Sequence, residues 1–133
     1  MPGEETALRI ESDGPVMRVT LNRPENLNAL TASMLDEVTQ AVGAAAADEA
    51  VRVMVLTGTG RAFSSGADLG SGGGESTLHA ANRAVLAVRE VGKPVVAAVN
   101  GLAAGVGCSL ALACDLAVRR APPTSCWRSP TSG

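Results

Sequence analysis

Two short apolar runs, each broken by small residues, constrain this chain more than anything else in it. Val51 to Thr57 and Pro94 to Val99 are each long enough for one strand. The first ends at Gly58-Thr59-Gly60 and leads into Arg61-Ala62-Phe63-Ser64-Ser65-Gly66-Ala67-Asp68-Leu69, which holds the only phenylalanine. The second ends at Asn100-Gly101 and leads through Gly105 to Gly107. A run that is apolar at consecutive positions suits a strand buried on both faces, as in a parallel sheet. Small residues at its end let a backbone or a ligand come close. The expectation is an α/β architecture in which two loops lie at strand ends.

The segments around these runs agree. Ala7 to Glu11 and Val16 to Leu21 alternate around the turn Asp13-Gly14-Pro15, so a β-hairpin with one buried face is expected. Pro24 ends it. Thr31 is placed to cap a helix reaching Ala47, with Met34, Leu35, Val38, Val42 and Ala45 on its apolar stripe. A second helix is expected over Thr77–Val91, with Leu78, Ala81, Val85 and Val88 inward. Gly107 to Cys114 suits a short buried helix, and Asp115 to Val118 the start of another strand. The expected order is β-β-α-β-α-β-α-β. Gly70-Ser71-Gly72-Gly73-Gly74 reads equally as a flap over a site or as a linker.

Composition excludes several functions. The chain has 133 residues, a formal charge of −2 and no dense cationic run, so nucleic acid is not an expected partner. His79 is the only histidine, and the three cysteines match no zinc spacing, so no metal site is expected. Cys108, Cys114 and Cys126 read as reduced thiols, the first two as small apolar residues rather than nucleophiles. Pro94 to Cys114 carries no formal charge, but the Asn100-Gly101 break argues against a membrane helix. The acidic N-terminus has no apolar core of a signal peptide, which points to a cytoplasmic protein.

Backbone N–H groups in the two glycine-rich loops could converge on one oxygen and stabilise an enolate or a tetrahedral oxyanion, helped by a helix N-terminus. Taken alone, the same residues also suit plain strand-to-helix turns.

Three segments carry a resemblance that separates these readings. Leu21-Asn-Arg-Pro-Glu-Asn-Leu-Asn-Ala-Leu30, Arg61 to Leu69 and Lys93 to Asp115 resemble, in order and spacing, motifs of the crotonase superfamily, the enoyl-CoA hydratases and isomerases. The likeness spans Ala7 to Val118. It implies a crotonase-like spiral of ββα repeats, here truncated, with an acyl-CoA thioester as ligand. It also implies homo-oligomers built from trimers, as trimer or hexamer, and no cofactor apart from CoA within the substrate. Carried over by position, the N–H groups of Ala67 and Val106 would form the oxyanion hole. Ser65, Gly66, Ala67, Asp68, Leu69 and Gly70 would line the CoA site with Gly105, and Arg23, Asn28, Ala29 and Leu30 would lie nearby. Asp68 reads as a loop-fixing residue rather than a proton carrier.

The chain departs from that pattern in its acids. The first catalytic glutamate of the hydratases falls at Ser109, whose hydroxyl is no carboxylate base. The second lies past the end of the likeness. The wording of the second loop is closer to the isomerases, and an inactive family member is the alternative. A nucleotide-binding oxidoreductase fragment is a further alternative, from Gly101-x-x-x-Gly105-x-Gly107 after a strand. The absence of tyrosine removes the Tyr/Lys pair that such enzymes of the short-chain type would need. Residues 119–133 read as a non-family, disordered tail. With one choice of codons, Thr124 to Gly133 read two bases later becomes a family-like peptide, so a shifted frame is expected to be visible in the gene.

Overall fold

The computed structural model describes residues 6–68, 70 and 74–120. Strands β1 (Leu8–Asp13) and β2 (Val16–Leu21) form the expected antiparallel hairpin. Its outer strand departs from expectation: Leu8 is buried, but Ile10 is 50% exposed. β1 is the sheet edge, and little covers the end of the inner face that Ile10 shares with Val19. A single 3-10 turn, Pro24–Asn26, follows.

Helix α1 (Ala32–Ala47) starts at the expected cap, where Thr31 Oγ1 accepts the Met34 N–H at 3.1 Å. That contact satisfies one of the donors a helix start leaves open. All five residues of the expected stripe are buried, together with Ala41. After β3 (Val53–Gly58) and a three-residue strand β4 (Ala62–Ser64) comes helix α2 (Gly74–Glu90). Here the expected stripe is rotated. Thr77, Ala80, Ala81, Ala84 and Val88 are buried, Val85 is half-buried and Leu78 is 53% exposed. α2 packs against α1, whose own inner face carries Ala41 and Ala45. Two helices with small residues at their contact approach closely, and the larger leucine is turned outward.

Strand β5 (Val95–Val99), the two-residue strand β6 (Leu102–Ala103), helix α3 (Val106–Ala113) and strand β7 (Leu116–Arg119) complete the described chain. The main sheet has the order β1-β2-β3-β5-β7, parallel throughout except for the first pair. Val19, Met54, Leu56 and Val95 from one face meet Val38 and Val42 of α1 and Val88 of α2 around a small internal gap. The expected burial of both faces is not found. Met54 and Leu56 are buried, whereas Val53, Val55 and Val96 are half-buried and Leu116 and Val118 exposed. The helices cover one face only.

β4 and β6, both expected to be loop, pair in parallel as a separate two-stranded sheet. That pairing joins the segments after β3 and after β5. Cys108 is disulfide-bonded, not the reduced thiol expected, while Cys114 is free. His79 is exposed. Among the described residues no helix is long and apolar enough to cross a membrane, and no three His, Cys, Asp or Glu side chains gather as a metal site. The expected tail lies outside the described residues from 121 onward; Arg119 belongs to β7.

Candidate functional site: two loops joined at the strand ends

The site begins with a parallel bridge. Leu30 pairs with Ala67: the Leu30 N–H donates to Gly66 O and the Asp68 N–H donates to Leu30 O, both at 2.8 Å. In a parallel bridge the residues flanking the partner carry the hydrogen bonds. The N–H of Ala67 itself therefore points away from Leu30, and among the described residues no hydrogen bond engages it.

The second loop reaches a comparable state by another route. Val106 is the first residue of α3, after Gly105 in a positive-φ conformation (φ 54°, ψ −127°) that suits glycine. A helix start leaves its first N–H groups without intrahelical partners. Here Gly107 and Cys108 N–H donate to Ala104 O at 2.9 and 3.3 Å, and Ser109 N–H donates to Gly105 O at 3.0 Å. The Val106 N–H is left uncommitted among the described residues, at the positive end of the helix dipole.

Close backbone contacts hold the two loops against each other. Ala104 N–H donates to Ser64 O at 3.0 Å. A Cβ on Gly66, whose φ is +113°, would lie 3.1 Å from Ala104 O and 3.7 Å from Gly105 Cα. A methyl on either Gly66 or Gly105 would thus meet the Cα of the other, and each glycine immediately precedes one of the uncommitted N–H groups. A Cβ on Gly107 would stand 2.6 Å from Ser64 O, and one on Gly101 would overlap Arg61 O. These glycines serve backbone packing, and the strand before α3 is the short β6, so they are not arranged as a dinucleotide fingerprint.

The side chains around the first loop are tied to protein. Arg23 Nη1 donates to Ala29 O at 2.9 Å and to Asp68 Oδ2 at 3.1 Å, and both members of the ion pair are 23% exposed. The other Asp68 oxygen, Oδ1, accepts the exposed Gly70 N–H at 3.1 Å, and the half-buried Ser65 donates its N–H to Leu27 O. Asn28 and Leu30 are fully buried, with their side chains packed in protein. Ala29 is half-buried and Leu69 lies outside the described residues. Ser109 is exposed on α3, with Oγ 3.3 Å from Gly105 O.

Two contributors escaped the motif reading. Ser64 is fully buried, donates from Oγ to Asn28 O at 2.8 Å and accepts the Gly66 N–H at 3.1 Å. A polar residue next to the only phenylalanine, at a strand end, was its one sequence signal. Asn100, at the start of the second loop, is the other: its Nδ2 donates to Ala62 O at 2.9 Å. Cys114, at the end of α3, has its thiol pushed up to about 12 by burial and, secondarily, by the Asp115 carboxylate. It is no nucleophile near neutral pH.

Comparison with known proteins bears on this geometry. The model of the enoyl-CoA hydratase/isomerase family matches residues 11–124. A probable enoyl-CoA hydratase of Rhodobacter capsulatus is 44% identical over 117 residues, covering 84% of this chain and 45% of its own length. A probable mitochondrial enoyl-CoA hydratase of Dictyostelium discoideum is 39% identical, covering 81% and 40% respectively. The crystal structure of an enoyl-CoA hydratase from Mycobacterium avium subsp. paratuberculosis superposes with a TM-score of 0.81 at 39% identity, covering 88% of this chain and 48% of that one. The chain spans less than half the length of these relatives.

Proposed function

This chain belongs to the enoyl-CoA hydratase/isomerase family and has its crotonase fold, and from that premise we propose that it binds an acyl-CoA thioester and polarises its carbonyl with the Ala67 and Val106 N–H groups. One observation carries the reading: two uncommitted backbone donors each follow one of two closely facing glycines, one donor at a helix N-terminus. Rigid donors aimed at a developing oxyanion stabilise it without reorganising at the moment of reaction. Valine at 106 does not compromise this, because the donor is backbone. Gly66, Gly105 and the Ser65–Gly70 segment are the proposed contacts to the thioester. Asp68, ion-paired to Arg23, holds the loop.

The reaction proposed is isomerase-like rather than hydratase-like. Hydration needs a carboxylate near the two donors, and Ser109 occupies the position where the first is expected. Asp68 is the only acid within residues 64–70 and 100–109, and it is tied to Arg23. Ser109 also favours a second reading, binding of the thioester without turnover. Assembly as a trimer or hexamer belongs to the same proposal and is tested by mass in solution.

Val106→Pro isolates the donor. Proline is well tolerated at the first residue of a helix, yet it has no N–H. Loss of one such donor lowers turnover about 100- to 1,000-fold where turnover exists. Crotonyl-CoA hydration and 3-enoyl-CoA isomerisation are assayed in parallel on the parent chain. Isomerisation without hydration supports the preferred reaction, binding alone supports the second reading, and fast hydration overturns both. A V106P chain with undiminished thioester polarisation removes Val106 from the site.

A further inference from the structure

Two asparagines, one from each side of the site, reach the same backbone oxygen. Asn28 Nδ2 donates to Ala62 O at 2.8 Å and Asn100 Nδ2 donates to it at 2.9 Å. Their remaining bonds run in parallel. Asn28 Nδ2 also donates to Thr59 O at 3.0 Å, and Asn100 Nδ2 to Gly60 O at 2.8 Å. Asn28 Oδ1 accepts the Arg23 N–H at 2.7 Å, and Asn100 Oδ1 accepts the Gly58 N–H at 3.2 Å. Each side-chain amide thus places both of its N–H donors on the 59–62 turn and its oxygen on one backbone N–H. A carbonyl oxygen has two lone pairs, and Ala62 O offers both.

We propose that Asn28 and Asn100 are positioning residues that clamp the two donor loops to the Ala62 carbonyl and so set the separation of the Ala67 and Val106 N–H groups. The inference rests on the acyl-CoA reading above and extends it to residues whose side-chain amides bond to backbone. The path from each asparagine to its donor is short. Two residues after Asn28, Leu30 makes the bridge that turns the Ala67 N–H outward. Two residues after Asn100, β6 pairs with β4 and delivers Ala104 to Ser64 O, just ahead of Val106.

The backbone around Asn28 has the cost such a role requires. Leu27 and Asn28 are the two non-glycine residues with positive φ among the described residues, at 54° and 57°. Side-chain-bearing residues hold that conformation only when their surroundings over-determine it. Asn28 is fully buried, and a Cβ on Gly58 would stand 2.9 Å from its Nδ2, so the turn is shaped around the amide. Aspartate has the same outline but would face two carbonyls with an acceptor.

The test uses the full 133-residue chain and a CoA thioester of 4-(dimethylamino)cinnamic acid, whose absorption moves to the red when its carbonyl is polarised. Asn28→Gly keeps the freedom for positive φ and removes the clamp; Asn100→Ala removes the other half at a half-buried position. The expected result is a red shift in the parent chain that falls to about half or less in each variant, with Kd for the probe changed less than about threefold, the split expected of a contact to the polarised carbonyl alone. An unchanged shift in either folded variant overturns the clamp and leaves the acyl-CoA reading standing. Shift, affinity and melting temperature falling together mark a purely structural role and also overturn it. No shift in the parent chain overturns the acyl-CoA reading itself, and the clamp with it. If N28G is isolated unfolded, N100A decides.

Discussion

The loops on either side of the site reach similar ends by different physics. The first, Ser65 to Gly70, adds side-chain ties to its backbone bridge with Leu30: Arg23 on Asp68, Ser64 on Gly66 N–H, Asn28 on the turn before it. The second, Asn100 to Gly107, is held mainly by backbone fit, with Gly101 against Arg61 and Gly107 against Ser64, and then by the start of α3. Hydrogen bonds of side chains can be removed one at a time at moderate cost. A close backbone approach has no such gradation, because any Cβ must displace main chain. The second loop should therefore be brittle and the first adjustable.

The most severe test of that difference is Gly101→Ala, whose methyl would overlap Arg61 O. A loss of roughly 3 kcal/mol or more is expected from overpacking against backbone, read by urea denaturation or as loss of soluble protein. A G101A chain with parental stability would show that the second loop gives as readily as the first. Next comes Asp68→Ala. Its ion pair is largely buried but not closed to water, so about 2 kcal/mol is expected, below the full cost of breaking a buried pair. Amide exchange should accelerate at Leu30, whose N–H is bonded to Gly66 O, and remain unchanged at Ala104, whose N–H is bonded to Ser64 O; equal acceleration at both would erase the distinction between the loops.

A smaller change sharpens the first region's dependence on its neighbour helix. Thr31→Ala removes the cap one residue after the Leu30 bridge, at about 1 kcal/mol by thermal or chemical unfolding. No measurable loss would mean that Leu30 alone anchors the start of α1. The smallest effect concerns the far end of α3. Because the Cys114 thiol is pushed up to about 12 in the fold from an ordinary 9.0, the folded chain holds its proton more tightly than the unfolded chain. Stability is then fully present below about pH 9 and falls as pH rises toward 12, by at most about 1.4 kcal/mol at pH 10. Cys114→Ser should flatten that slope between pH 8 and 10; a slope unchanged in C114S assigns it to another group.

Much of this was legible in local pattern. Thr31 marked the start of α1 because a hydroxyl before an apolar stripe satisfies an open N–H, a short-range effect. The hairpin and both central strands followed from alternation and from apolar runs. Burial was less legible. Alternation cannot say that Ile10 lies on an uncovered edge, nor that alanines rather than Leu78 face α1, because those outcomes depend on what packs from elsewhere. β4 and β6 were invisible: three residues and two residues carry no period, and their pairing is a contact between distant segments.

The candidate site divides the same way. Motif likeness located Ala67 and Val106, since small residues after a buried strand leave backbone accessible. It did not tell that the side chains of Asn28 and Leu30 are fully buried. Nothing in the spacing of Asn28 and Asn100 tells that both amides reach the Ala62 carbonyl.

By itself, then, the sequence determined family membership, the order of the long elements, and the absence of a glutamate at position 109, since each is written in residue type and local period. Tertiary structure alone decided which N–H groups stay uncommitted. A backbone donor is identical at every residue but proline, and only pairing, capping and close approach across the fold distinguish the one at Ala67 or Val106 from those around it.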